Sequence, residues 1–263
     1  MMPNNSKAGL LVSVATYNEV GNLRPLVEAV RRHAPDCEIL IIDDNSPDGT
    51  GRVADELRAE MPGIHVDHRP GKLGLGTALV AAMRFAVEGG YEYLINLDAD
   101  FSAPPPFIVD LLSGMDSHDV MIGSRYVEGA ELGEEFDLKR KLMSAGINWY
   151  TWLLLGLRCR DCSNSFRCYR VEMLARIDFD RIRSRGYSIQ EEILYLCRQV
   201  GCRIGETPIR HEDRRSGDSK LNRSEAARAL KIIFLLGIDR LLGRTRSLEV
   251  PDRRPIGLSP ASR

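Results

Sequence analysis

Tyr91-Glu92-Tyr93-Leu94-Ile95-Asn96-Leu97-Asp98-Ala99-Asp100 is the stretch on which the reading of this chain turns. Residues 91 to 97 have the length and apolar composition of a buried strand. The run ends at once in two carboxylates separated by one small residue. Along an extended chain, residues i and i+2 point to the same side. Two like charges held that close are costly unless a cation sits between them. Mg2+ or Mn2+ suits such a pair, because hard cations take carboxylate and diphosphate oxygens into one shell. An isolated Asp-x-Asp also describes an ordinary solvated turn, so its surroundings must decide.

Upstream, residues 10 to 16 (Leu-Leu-Val-Ser-Val-Ala-Thr) form another short apolar run, read as a buried parallel strand. Asn18 is placed to cap a helix from about Val20 to His33, whose Leu23, Leu26, Val27 and Val30 recur at helical spacing. Residues 38 to 42 form a second strand. It stops in Asp43-Asp44-Asn45-Ser46-Pro47-Asp48-Gly49-Thr50, which is turn chemistry followed by a helix start. That helix is expected to reach Glu60, where Pro62-Gly63 ends it. Residues 64 to 68 are a third strand, residues 71 to 76 a glycine-rich loop, and residues 77 to 89 a helix. Strand and helix alternate throughout, which predicts a mostly parallel, Rossmann-like sheet with right-handed crossovers, flanked by helices. Ligands on such sheets sit beyond the carboxyl ends of the strands. Asp43-Asp44, the Gly71 loop and Asp98-Ala99-Asp100 all fall at such ends, and this coincidence favours a binding site over a solvated turn.

The second half is less regular. A strand is expected over 120 to 124 and a mobile acidic loop over 128 to 137. A tryptophan-bearing helix follows over 138 to 157. Asp161 to Tyr169 is polar and leads into a short helix near Val171, either lining an acceptor pocket or capping that helix. A helix over 189 to 200, a strand over 202 to 209 and a polar loop over 211 to 220 complete the pattern. Residues 1 to 9 are polar and expected to be flexible, and residues 247 to 263 read as a disordered tail. One catalytic-sized domain, residues 10 to 246, lies between them.

Composition narrows the function classes. Thirty-six basic residues oppose 37 acidic ones, so no global field recruits nucleic acid, and any anion site must be local. No stretch reaches the ~18 apolar residues of a membrane span, and no secretory signal opens the chain. The best apolar stretch, residues 229 to 242, is interrupted by Lys231, Asp239 and Arg240. It and the 138 to 157 helix could rest on a bilayer or pack in the core. Six cysteines without a signal suggest reduced thiols in a cytoplasmic protein. Cys159, Cys162 and Cys168 lack the partners of a tetrahedral zinc site and are read as small buried hydrophobes.

Several polar segments could carry chemistry. Asp44 could accept hydrogen bonds from a base or ribose, as acidic residues at strand ends do, while Asn45 to Thr50 build the turn. Lys72-Leu73-Gly74-Leu75-Gly76 matches neither a Walker loop nor a dinucleotide fingerprint. Asp213-Arg214-Arg215-Ser216-Gly217-Asp218-Ser219-Lys220 gathers cations that could close over a diphosphate, or simply be solvated.

In order along the chain stand Thr16-Tyr17-Asn18-Glu19, Asp43 to Thr50, Gly71-Lys72-Leu73-Gly74-Leu75-Gly76-Thr77, Asp98-Ala99-Asp100, Gly123-Ser124-Arg125-Tyr126, Ser165-Phe166-Arg167 and Asp213 to Lys220. Together, over about residues 10 to 240, they resemble the dolichol-phosphate (polyprenol-phosphate) mannosyltransferases among the inverting family-two glycosyltransferases. The resemblance implies a GT-A fold. It implies metal-dependent transfer of mannose from GDP-mannose to a polyprenyl (dolichyl-type) monophosphate, at the cytoplasmic face of a membrane, through peripheral contact. By position, Ala15, Tyr17, Glu19, Ile42, Asp44 and Lys72 would hold the donor. Asp98, Ala99 and Asp100 would serve diphosphate and metal, with Asp100 the direct ligand and Asp98 and Ser102 the further metal candidates, Ser102 standing where some relatives use a glutamine. Arg125, Arg140 and Ser144 match acceptor positions, and Arg214 and Lys220 the closing loop. Asp100, Arg125, Arg214 and Lys220 are the catalytic candidates. The chain departs at Ala15, where a proline is usual, at Ser102-Ala103, where a histidine often follows, and in lacking the transmembrane helices that some relatives append. Two other readings stay open: another donor or acceptor, such as glucose from UDP-glucose to a lipid phosphate or a polysaccharide, and a non-catalytic nucleotide-sugar binding subunit.

Overall fold

A computed structural model describes residues 9–131, 138–210 and 223–243. In chain order the elements are β1 (Leu10–Thr16), α1 (Leu23–His33), β2 (Glu38–Asp43), α2 (Thr50–Glu60), β3 (Ile64–His68), α3 (Leu75–Gly89), β4 (Tyr93–Asp98), α4 (Ile108–Gly114), β5 (Val120–Ser124), α5 (Leu138–Leu155), β6 (Arg167–Arg170), α6 (Val171–Leu174), α7 (Ile189–Gln199), β7 (Ile204–Pro208) and α8 (Arg223–Leu241), with 3-10 turns at Pro105–Phe107 and Phe179–Arg181. The strands form one seven-stranded sheet in the order β3-β2-β1-β4-β6-β5-β7. Strands β3, β2, β1 and β4 run parallel, β7 runs parallel to β5, and β6 runs antiparallel to both its neighbours.

The apolar runs are strands because both sheet faces are covered. Successive side chains of a strand point to opposite faces. Leu11 enters the core shared with Leu79 and Met83 of α3 and Ile193 of α7. Val12 and Val14 enter the other core, with Leu23, Leu26, Val27 and Val30 of α1 and Leu57 of α2. All four of those α1 residues are fully buried, which is the stripe expected from their spacing.

The sequence expectations differ from the structure at four places. Asn18 does not cap α1. It takes a left-handed conformation (φ 60°) and its N–H donates to the Ser46 hydroxyl at 3.0 Å, so the chain makes an extra turn before the helix starts at Leu23. Strand β4 begins at Tyr93 rather than Tyr91, because Gly90 adopts a left-handed helix end and Tyr91 turns its phenol onto the Glu38 carboxylate. The same strand ends at Asp98, and Ala99-Asp100 lie in a turn, so strand alternation does not itself orient the two carboxylates. Strand β6 was unforeseen: Arg167-Cys168-Tyr169-Arg170 carries a charge at each end, yet it inserts between β4 and β5. It can do so because the fully buried Arg167 guanidinium donates to the carbonyls of Cys162 (2.6 Å) and Gln190 (2.7 Å).

Residues 132–137 of the expected acidic loop, the polar loop at 211–222, the tail from 244 and the first eight residues lie outside the described residues. Among the described residues, no helix is long and apolar enough to cross a membrane.

Candidate functional site

Because β1, β2 and β4 are parallel neighbours, their carboxyl ends emerge on one edge of the sheet. Ala15 pairs in register with Ile42 on one side and with Asp98 on the other. A cleft of about 770 Å³ opens over this edge. Its wall includes Ala15, Tyr17, Glu19, Asp44, Lys72, Asp98, Ala99 and Asp100. Residues separated by up to 85 positions are thus assembled by strand order alone.

Hydrogen bonds between the loops build the floor. The Asp43 carboxylate accepts from the Thr16 hydroxyl (3.1 Å), the Ser46 hydroxyl (2.5 Å) and the Ser46 N–H (3.1 Å). Asp43 is therefore a turn-builder. Asp48 accepts from the Thr50 N–H (2.9 Å), the Thr50 hydroxyl (2.6 Å) and the Val20 N–H (3.1 Å). Partial burial pushes the Asp48 carboxyl up, but those hydrogen bonds outweigh it and hold it below the usual carboxylate range. The Thr50 hydroxyl also receives the Glu19 N–H at 2.9 Å. The loops after β1 and β2 are one hydrogen-bonded unit.

Asp44, the neighbour of Asp43, faces the cleft. It accepts the Gly74 N–H at 3.2 Å and lies 2.8 Å from the Arg69 guanidinium, with both side chains under a tenth exposed. Arg69 in turn donates to the Thr77 hydroxyl. Sequence reasoning passed over Arg69, although its place directly after β3 was a signal that it joins the same edge. The glycine-rich loop is thereby tied to the acidic end of β2. Its Lys72 ammonium sits 4.0 Å from the centre of the Tyr17 ring, a cation–π contact across the cleft mouth.

Asp98 accepts a hydrogen bond from the Ser165 hydroxyl, and Asp100 accepts the Ser102 N–H at 3.0 Å. Phe101, with φ 63°, turns the chain sharply after them. Both aspartates face the cleft, while the Ser102 side chain is half-buried and not among the residues that line it. Ile42 is buried in the core, and its carbonyl receives the Thr16 hydroxyl at 3.3 Å.

Arg125 follows β5. Its guanidinium is held by the fully buried Asp161 through two bonds of 2.8 Å, and its N–H donates to the same carboxylate at 3.0 Å. This is the forked geometry that fixes an arginine's direction. Arg125 also lies over the Tyr126 ring at 5.4 Å, and Ser144 of α5 sits beside the Tyr126 phenol. The structure so brings together two of the three acceptor candidates, Arg125 and Ser144. The side chain of Arg140 and all of Arg214 and Lys220 lie outside the described residues.

The opposite wall was not anticipated. Arg183, Arg185, Tyr187 and Ser188 line it, joined by Arg228 and Lys231 of α8. The Glu192 carboxylate fixes this segment by accepting the N–H groups of Arg183 (3.1 Å) and Ser184 (2.8 Å). The Gly76 N–H donates to the Arg185 carbonyl at 2.9 Å. Nothing in the local pattern of residues 183 to 188 marks them, since they are irregular chain brought in by the packing of α7.

Among the described residues, no group of three or more His, Cys, Asp or Glu could cage a metal by itself. The Cys162 thiol donates to the Cys159 carbonyl at 3.5 Å, and Cys162 and Cys168 are fully buried. Burial pushes the Cys168 thiol well up.

Comparison with known proteins agrees with this geometry. The family model described as glycosyl transferase family 2 matches residues 11–178. An undecaprenyl-phosphate mannosyltransferase of Micrococcus luteus is 38% identical over 213 residues, 81% of this chain and 87% of that protein. A polyprenol monophosphomannose synthase of Mycolicibacterium smegmatis is 37% identical over 240 residues, 90% of each chain. Glucosyl-3-phosphoglycerate synthase from Mycobacterium tuberculosis, crystallised with Mn2+, UDP and glucosyl-3-phosphoglycerate, superposes with a TM-score of 0.58 at 16% identity, covering 90% of this chain and 80% of that one. That last likeness is one of fold, the GT-A arrangement. With a matching family model across most of the sheet and relatives above one-third identity over most of the chain, this protein belongs to glycosyl transferase family 2.

Proposed function

We propose that this protein transfers mannose from GDP-mannose to a polyprenyl monophosphate, with inversion at the anomeric carbon and with a divalent cation, at the cytoplasmic face of a membrane. The observation that carries the reading is the convergence of Asp44, Asp98 and Asp100 on one cleft at the carboxyl ends of β2 and β4. Its volume of about 770 Å³ is in the range of small-molecule sites and suits a nucleotide sugar. The names of the two relatives support mannose and a polyprenyl phosphate.

The donor set fits Mg2+ or Mn2+. Asp98 and Asp100 offer hard oxygen ligands, and with no third acidic or imidazole group clustered among the described residues, diphosphate oxygens and water would complete the shell. Mg2+ in particular keeps waters and substrate phosphates rather than entering an all-protein cage. When bound, the cation would offset the charge that builds on the departing diphosphate. The remaining work falls to the chain. Asp44, held by Arg69 and Gly74 on the cleft wall, is the candidate for accepting hydrogen bonds from a base or ribose. Lys72 at the mouth and Arg183, Arg185 and Lys231 on the far wall present positive charge to a diphosphate. Arg125, held in direction by Asp161, is the candidate for aligning the acceptor phosphate. A monophosphate is already largely anionic at neutral pH, so alignment and charge neutralisation replace a general base.

The test is incubation with GDP-mannose, Mg2+ or Mn2+ and a short polyprenyl phosphate, reading lipid-linked mannose. Transfer from UDP-glucose in place of GDP-mannose would overturn the donor assignment. Absence of transfer from any donor, with nucleotide-sugar binding retained, would favour a binding subunit.

A further inference from the structure

A second cavity, of about 410 Å³, shares no lining residue with the cleft. Two half-buried cysteines line it, Cys159 and Cys202. Each has a buried thiol beside it, Cys162 and Cys197 respectively. The Cys162 thiol donates to the Cys159 carbonyl at 3.5 Å and also reaches the Cys159 sulfur.

The turn Cys159-Arg160-Asp161-Cys162 is strapped from two sides. The Glu206 carboxylate of β7 accepts the N–H groups of Arg160 (2.8 Å) and Asp161 (3.0 Å). Asn148 of α5 accepts the Cys162 N–H at 3.1 Å and donates to the Arg160 carbonyl. A disulfide forms only where the backbone brings both sulfurs together, and these four bonds hold this turn in such a shape.

The two thiols are unequal. The hydrogen bond from Cys162 is the largest influence on Cys159. Helped by the Arg167 guanidinium, it holds that thiol below its ordinary range against burial and the Glu206 carboxylate. The same pairing, with burial, pushes Cys162 well up. The better nucleophile is therefore the member open to the cavity, and the enclosed Cys162 is reached only through it. Arg158 and Arg198 also line the cavity. They face a single carboxylate there, that of Glu206, which is already engaged by two N–H groups. Such a cavity favours an acidic reagent.

We propose that Cys159 and Cys162 form a thiol–disulfide site, oxidised by an acidic low-molecular-weight disulfide that enters this cavity. The Cys159 thiolate attacks one sulfur of the reagent, the reagent's S–S bond breaks, and the released thiolate takes a proton from solvent. Cys162 then gives up its proton and attacks the Cys159 sulfur, expelling the other half of the reagent as a second thiol. Two cysteine thiols are oxidised to one bridge, and one disulfide is reduced to two thiols. In a reducing compartment such bridges are transient and serve as sensors.

Asp161 is one of the two residues that the bridge encloses. Its carboxylate accepts the Arg125 N–H and holds the Arg125 guanidinium. Closing the bridge replaces the Cys162 hydrogen bond with a covalent one and moves that carboxylate, so oxidation is felt at Arg125. This consequence rests on the proposed acceptor role of Arg125, whereas the thiol chemistry does not. The other pair, Cys197 and Cys202, encloses residues 198 to 201, none of which lines the cleft.

The reduced full chain is incubated with glutathione disulfide, its remaining thiols are alkylated, and its peptides are mapped by mass spectrometry. The expected product is a Cys159–Cys162 bridge. Cys162→Ala should instead trap glutathione on Cys159, and Cys159→Ser should show neither product. The bridged protein should have a KM for a short polyprenyl phosphate raised about tenfold, with KM for GDP-mannose little changed, and dithiothreitol should reverse this. Cys159→Ser should keep the kinetics of the reduced parent and lose the response. A bridge made by Cys202, or no modification of Cys159, overturns the site. A Cys159–Cys162 bridge that leaves the acceptor KM unaltered overturns the coupling to Arg125. Absence of transfer by the reduced parent would count against the functional reading, while the peptide map is read without it.

Discussion

Alanine at Gly76 and alanine at Gly146 should change stability in opposite directions, although both glycines lie in helices. Helix propensity favours alanine over glycine by about 1 kcal/mol. Gly146 lies within α5 with nothing within 4 Å of where a Cβ would stand, so Gly146→Ala should be stabilising by about 0.5–1 kcal/mol. At Gly76 the Cβ would stand 2.7 Å from the Ser184 carbonyl oxygen and 2.9 Å from the Arg185 carbonyl carbon. Those are main-chain atoms, and the Glu192 carboxylate holds the segment through the Arg183 and Ser184 N–H groups. Relief therefore requires the wall of the cleft to move and strains the Gly76 N–H bond to Arg185. Overpacking costs about 1–3 kcal/mol and the hydrogen bond about 1 kcal/mol, against about 1 kcal/mol of propensity. The net expectation is destabilisation by about 1–3 kcal/mol, with a raised KM for the nucleotide sugar. Urea unfolding followed by far-UV circular dichroism measures the first quantity. A Gly76→Ala protein as stable as its parent would refute the close packing of α3 against residues 184–185.

Asp100→Ala should abolish transfer while leaving far-UV circular dichroism and the unfolding midpoint near those of the parent; full activity with Mg2+ or Mn2+ would remove Asp100 from the mechanism. Asp161→Asn should destabilise by about 2–4 kcal/mol, because the Arg125 guanidinium loses the charge it is forked onto, and among molecules still folded it should raise KM for the lipid acceptor more than KM for the donor. Burial pushes the Glu191 carboxyl up to about 7, with the buried Arg167 only partly opposing this. An unfolded chain releases that proton near the ordinary value of ~4.3, so across the interval from there to about 7 the folded state holds more protons and stability falls as pH rises. Glu191→Gln should flatten that slope in denaturation series at several pH values; an unaltered slope would mean that Glu191 is charged in the fold.

The strand-and-helix alternation of residues 10 to 98 was legible because both periodicities are local: buried parallel strands read as short apolar runs, and α1 and α3 follow them with apolar stripes. For the same reason Asp44, Asp98 and Asp100 could be placed at strand ends before any coordinates were known. Strand β6 was not legible. Its four residues hold two arginines, and the carbonyls that satisfy Arg167 come from Cys162 and Gln190, the latter 23 positions away. Asn18 failed as a helix cap for a similar reason, because its partner is Ser46, on the next loop.

By itself, then, the sequence determined the sheet's parallel half, the acidic strand ends and the ordered motifs of the family, since each depends on residue type and short spacing. Tertiary structure alone decided which aspartate builds and which faces the cleft: Asp43 and Asp44 are adjacent in sequence, but one is enclosed by Thr16 and Ser46 and the other meets Arg69 and Gly74. It alone supplied the far wall, where residues 183 to 188 meet Arg228 and Lys231 of α8, because those side chains come from separate elements whose meeting is set by packing rather than by any pattern along the chain.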